Sequence, residues 1–157
     1  MGSAVNALEL RVPPPLWALL FALAMAALAW LTPTYPLGDV VRFGLAGSLA
    51  LLGLGVSAAG IVEFRRARTT IHPLQPHKAT VLVDSGIYRR TRNPMYLGLL
   101  LVLVAWGLGL ASAWAMLGPV GFVLVITRLQ IGPEERALTA LFGAQYARYR
   151  ARVRRWI

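Results

Sequence analysis

The chain has 157 residues, 57% of them hydrophobic and only 14% charged, with a net charge of +10 and no cysteine. That is one domain's worth of sequence, too apolar for an ordinary soluble fold. The missing cysteines exclude disulfides, thiolate-bound metals and a cysteine nucleophile. The arginines flank apolar runs, so membrane topology and anionic headgroups explain the positive charge more economically than nucleic acid does.

The first uncharged run lies between Arg11 and Asp39. Glu9 and Arg11 precede it and Pro13, Pro14 and Pro15 open it, a pattern unlike a cleavable signal. Its apolar core predicts a spanning helix over 12–31, with Trp17 and Trp30 as interfacial anchors. A second run predicts a span over 43–62, about 30 Å long as a helix. Its small residues, among them Gly44, Gly47, Gly53, Gly55, Gly60, Ser48 and Ser57, offer a surface for close helix packing.

A polar connector follows over 63–93, where Pro73 and Pro76 block a continuous helix. His72 and His77 have no carboxylate or thiolate cluster beside them, so no metal site is expected. The connector's last part is basic and aromatic, with Arg89, Arg90 and Arg92 between Tyr88 and Tyr96. Taken alone, such a stretch reads most simply as a topology-setting loop.

From Asn93 to Thr127 no charge occurs. One straight helix of that length would be about 50 Å long, well beyond a bilayer core. The segment must fold back, and Gly107 to Ser112 is the predicted turn of a hairpin over 94–129. Pro94 suits a first-turn position, and Gly118-Pro119 predicts a kink in the last span. In the tail, 133–157, Leu138, Phe142, Tyr146, Tyr149, Val153 and Trp156 recur at steps of three and four among arginines. That pattern predicts an amphipathic helix in the headgroup region.

The expected fold is therefore an all-α integral membrane protein: about four transmembrane helices, the last two a hairpin, plus a C-terminal amphipathic interfacial helix. With four spans, every Lys and Arg but Arg42 falls on one side, which should be cytoplasmic and should hold both termini. The expected compartment is a bacterial inner membrane. The same topology puts the connector and the acidic start of the tail at one end of the hairpin, where they can meet. Glu134 and Glu135 are two of only six acids, and in the bland reading they merely favour a helix N-terminus. As a site, a carboxylate there would hold an ammonium group, an arginine a carboxylate or phosphate, and Tyr88 and Tyr96 a flat ring or a cation. No Ser-His-Asp order, Walker loop, HExxH or dinucleotide fingerprint is present.

The motifs in question are Leu82-Val83, Gly86-Ile87-Tyr88, Arg92-Asn93-Pro94-Met95-Tyr96, Glu134-Glu135, and Phe142-Gly143 followed by Tyr146 and Tyr149. In this order they resemble the isoprenylcysteine carboxyl methyltransferase family, part of a wider group of small membrane methyltransferases that includes phospholipid N-methyltransferases. The resemblance covers about half the chain, from Thr80 onward. It implies methyl transfer from S-adenosylmethionine in a membrane-embedded pocket. The cofactor-binding positions it implies are Val81, Leu82, Val83, Tyr88, Asn93, Pro94, Tyr96 and Glu134, with Glu135 as a neighbour; Gln75 matches a family glutamine upstream.

Two departures mark the candidate catalytic positions. Asn93 stands where isoprenylcysteine enzymes carry His, so it can hydrogen-bond but cannot titrate. Gln130 stands where the family carries a substrate-side Arg, and Arg128 is near enough to take over. The implied partners are the membrane and a lipid or lipophilic small-molecule acceptor, with neither nucleic acid nor metal. Prenylated cysteine, a phospholipid amine, another isoprenoid acid and a small thiol all remain open as acceptors. Without the resemblance, a non-enzymatic lipid-binding or structural membrane protein is the leading reading.

Overall fold

The computed structural model describes residues 9–68 and 80–157. His72, His77, Gln75, Pro73 and Pro76 lie outside the described residues. The structure is an all-helical integral membrane fold. Helix α1 spans Pro14–Leu31, α2 Asp39–Arg66, α3 Pro94–Leu110, α4 Leu117–Ile126 and α5 Gly132–Arg152. Three helical stretches are long and apolar enough to cross a bilayer: α1, α2 and the continuous run Trp114–Arg152. Helix α3, at 17 residues, is a shorter apolar helix packed among them. Leucines such as Leu23, Leu51, Leu54 and Leu124 face outward, as lipid-exposed positions do.

Helix α2 runs from Asp39 to Arg66, beyond the expected 43–62 at both ends. Asp39 favours the positive end of the helix dipole, and Arg65 and Arg66 the negative end. Its glycines divide into two groups. Gly53 and Gly60 are buried against α3, whereas Gly44, Gly47 and Gly55 meet nothing. At the crossing, a side chain on Gly98 would fall on Ser57 and the Gly53 carbonyl, so the two backbones nearly touch.

The hairpin turns where expected. Ala111 adopts the left-handed conformation (φ 50°), and a short 3₁₀ turn, Trp114–Met116, leads into α4. Gly118-Pro119 falls just after the change from 3₁₀ to α-helix, in the first turn of α4, where no intrahelical partner awaits the missing N–H of Pro119. The regular helix is interrupted later, in a π-turn over Thr127–Ile131. Pro133 explains it: the residue has no N–H to offer the Leu129 carbonyl, which accepts instead from the Leu10 amide at 3.1 Å. A second break falls at Gly143 (φ 46°, ψ −120°), a backbone region that only glycine enters freely.

Two apolar clusters result. One lies inside the bundle around Met25, Leu103, Phe122, Ile126 and Ile131, and Tyr96 belongs to it. The other joins Leu82, Val83 and Tyr88 of the connector to Tyr146, Tyr149 and Val153 of the tail. The tail's apolar stripe is therefore spent on the protein's own connector. Its helix ends at Arg152, so Val153 and Trp156 lie past it.

Candidate active site

Between the two clusters lies a cavity of about 670 Å³, including its open mouth. Its walls are built from both ends of the hairpin. On the connector side, Leu82 and Val83 lie in an irregular segment that passes through an extended Ser85 into the 3₁₀ helix Gly86–Arg89. Gly86 carries φ +54°, and a side chain there would collide with the Glu63 carboxylate at the end of α2. Ser85 donates to that same carboxylate. The turn is thus pinned to α2, and glycine is required by both its conformation and its space.

Tyr88, set by this turn, is buried with its ring edge-on to Phe64 at 5.5 Å. Its carbonyl accepts the Tyr149 hydroxyl at 2.8 Å. Burial pushes the Tyr88 hydroxyl well above the ordinary tyrosine range, so it stays protonated and available as a donor. Tyr96, in the first turn of α3, donates its hydroxyl to the half-buried Glu134 in the first turn of α5.

The two neighbouring glutamates do different work. Glu135 is buried and ion-paired twice, to Arg92 at 2.7 Å and to Arg155 at 2.6 Å. Arg92 also donates to the Val153 carbonyl at 2.6 Å, and its amide donates to the Arg154 carbonyl at 3.0 Å. Asn93 turns its side-chain amide toward the same segment, donating to the Arg155 carbonyl at 2.8 Å. Glu134 has no cationic partner among the described residues. Its carboxylate accepts from the Tyr96 hydroxyl in a mainly aromatic and apolar cavity, whose one lining cation, Arg92, is paired with Glu135. A carboxylate so placed is costly unless a cation joins it.

Of the positions expected from sequence, Val81, Leu82, Val83, Tyr88, Asn93, Tyr96, Glu134 and Glu135 all line this cavity. Pro94 is buried at the start of α3 and orients Tyr96 without itself forming the wall. Arg128 is exposed on the π-turn and does not line the cavity. Arg89 and Arg90 are exposed, while Arg92 is committed to Glu135. The walls also include Phe64, Met95, Ile131, Leu138, Tyr146 and Tyr149. The last three carried a signal, the three-and-four spacing of the tail, but it pointed to a membrane surface. Phe64 and Met95 carried none. Among the described residues no group of three or more metal-ligating side chains occurs.

The arrangement suits a ligand with a flat ring and a positive charge: rings to stack on, an unpaired carboxylate for the cation, and little water. The profile of the phospholipid methyltransferase family matches residues 41–145, two thirds of the chain, so the chain belongs to that family. As a class, it is a membrane methyltransferase. It is also 51% identical to an uncharacterized protein of Haemophilus influenzae over 63 residues, which make up 40% of this chain and all of that protein. No solved structure matches it.

Proposed function

We propose that the protein transfers a methyl group from S-adenosylmethionine to a lipophilic acceptor at the cytoplasmic face of a membrane. The observation that carries this reading is Glu134: a carboxylate without a cation among the described residues, held by Tyr96 in a cavity walled by Tyr88, Tyr146 and Tyr149. S-adenosylmethionine has an adenine ring, an ammonium and a sulfonium, and the residues present fit it. Leu82, Val83 and Tyr88 would pack the ring, and Glu134 would take positive charge. When bound, the cofactor supplies a methyl already activated by the sulfonium. What the chain adds is alignment and exclusion of water, because the Leu82, Ile131 and Leu138 walls are apolar.

Asn93 in this reading acts through position, since its side chain holds the tail over the cavity and cannot take a proton. An acceptor that is already nucleophilic, such as an isoprenylcysteine-type carboxylate, needs no base; a phospholipid amine or a thiol must first lose a proton. Placement of fifteen of the sixteen Lys and Arg on one side supports cytoplasmic termini and a cytoplasmic cofactor entrance.

The test is calorimetric titration of detergent-purified protein with S-adenosylmethionine. Binding is expected, and Glu134→Gln should weaken it by about tenfold or more, the worth of one charge-assisted contact. Folded wild-type protein that binds nothing would overturn the reading. Unchanged affinity in the variant would remove Glu134 from the site.

A further inference from the structure

Helix α1 is entered through a short strap, residues 9–13, that lies against the start of α5. It makes two contacts there. The Leu10 amide donates to the Leu129 carbonyl at 3.1 Å, and the Glu9 carboxylate accepts from Arg136. The two anchor points, Leu129 and Arg136, bracket the end of the π-turn, Pro133 and Glu134. Arg136 folds back along α5 to reach its partner, since a side chain built on Gly132 would come within 3.7 Å of its guanidinium.

The strap holds this position against its own preferences. Leu10 has φ 56°, the left-handed region that a side chain disfavours. Such a residue persists only where its surroundings over-determine it. The π-turn is not self-sufficient either. Gln130 is buried, and neither polar atom of its amide has a partner among the described residues; the Thr127 hydroxyl is likewise buried without one. Buried groups left this way are destabilising, so side-chain hydrogen bonds within the turn do not hold its shape. The Leu10 amide supplies from outside the donor that Pro133 lacks.

The shape of the turn sets the direction and roll of α5. Glu135 is gripped on one side by Arg92 and Arg155. A helix held along one side can still roll about that contact. Neighbouring residues point about 100° apart, so a roll would swing Glu134 relative to the cavity. The strap grips the start of α5 elsewhere, and two separate holds fix a rotation that one leaves free.

We infer that Glu9 and Leu10 are positioning residues of the cofactor cavity: clamped to the chain on both sides of Pro133, they fix the roll at which Glu134 meets a bound cation. The identity of that cation rests on the methyltransferase reading above; the clamp itself does not. Neither residue lines the cavity, so both act through Glu134.

Calorimetric titration of the detergent-purified chain with S-adenosylmethionine tests this through a double-mutant cycle. Leu10→Pro removes the amide hydrogen and forbids the left-handed φ. It should weaken binding about fivefold, most of the effect expected of Glu134 itself. Glu134→Gln added to that variant should then cost less than about twofold, because a misaimed carboxylate has little left to lose. Leu10→Gly keeps the amide and adopts the same φ freely, so it should bind as wild type does. Glu9→Arg should weaken binding about twofold, since the ion pair is partly exposed, and Arg136→Glu in the same chain should restore it.

An undiminished effect of Glu134→Gln in the Leu10→Pro chain would overturn the proposal, as would wild-type affinity in Leu10→Pro or weakened binding in Leu10→Gly. If Leu10→Pro does not fold, the cycle is run with Glu9→Arg, and full additivity there overturns it. Wild-type protein that binds no S-adenosylmethionine counts instead against the methyltransferase reading.

Discussion

In the bundle, α2 and α3 come together because Gly53, Gly98 and Ser57 leave room for their backbones. Among the described residues, side-chain hydrogen bonds between its helices are few: Ser57 to the Met95 carbonyl, Trp106 to the Ala22 carbonyl, and Thr32 with Ser112. On the polar cap, where the connector meets the tail, the balance is reversed. Glu135, Arg92, Arg155, Asn93 and Thr91 form a connected set of ion pairs and hydrogen bonds that ties the tail to the motif before α3. Lipid gives helices no reason to separate from it, so the bundle relies on shape. The cap meets water on one side and must draw its order from directed contacts. Shape tolerates drift among apolar residues of similar size; a connected polar set does not.

This contrast can be broken at either end. The largest effect should come from Glu135→Ala, which leaves Arg92 buried without its partner. The expected loss is about 3 kcal/mol, near the lower end for a broken buried pair because Arg155 is partly exposed. A thermal melt in mild detergent would register it, and hydrogen exchange should localise the loosening to the tail. Next is Gly98→Val, which forces α2 away from α3 at a cost of about 1–3 kcal/mol by overpacking. Here the same melt should fall while exchange at the tail stays slow, the opposite distribution. Asn93→Ala removes one neutral hydrogen bond to the Arg155 carbonyl and should cost about 1 kcal/mol. Glu134→Gln should be smallest in stability, leaving the melt unchanged or slightly higher, because it neutralises a half-buried carboxylate that has no cation among the described residues. Its effect belongs to ligand binding. If Glu134→Gln destabilised as much as Glu135→Ala, the division of labour between the two acids would be wrong.

Much of this was legible beforehand, for physical reasons. The spans announced themselves by the absence of charge, and the hairpin by a run too long for one crossing. The wall residues Leu82, Val83, Tyr88 and Tyr96 could be picked out because the motifs that carry them resemble those of a methyltransferase family. What stayed hidden depends on pairings distant in sequence. Arg92 and Glu135 are 43 positions apart, and nothing in either neighbourhood says that they bond. Gly86 reads as a turn residue, but that its open side meets Glu63 of α2 is a tertiary fact. The tail's stripe was visible, yet an apolar stripe does not say what covers it. The break at Gly143 and the apolar side chains of Leu82, Val83 and Tyr88 decided in favour of protein over lipid.

The contacts that hold the tail have a further property. Arg92, Asn93 and Thr91 all reach main-chain carbonyls of residues 153–155, and only Arg155 answers with its side chain. Carbonyls are the same in every residue type. The tether thus asks that backbone be present at that place and is nearly indifferent to which residues supply it. Position 154, which is exposed, should accept broad substitution in a library selected for folded protein, position 153 only apolar residues because Val153 is buried in the second cluster, and cutting the chain before 153 should not be tolerated.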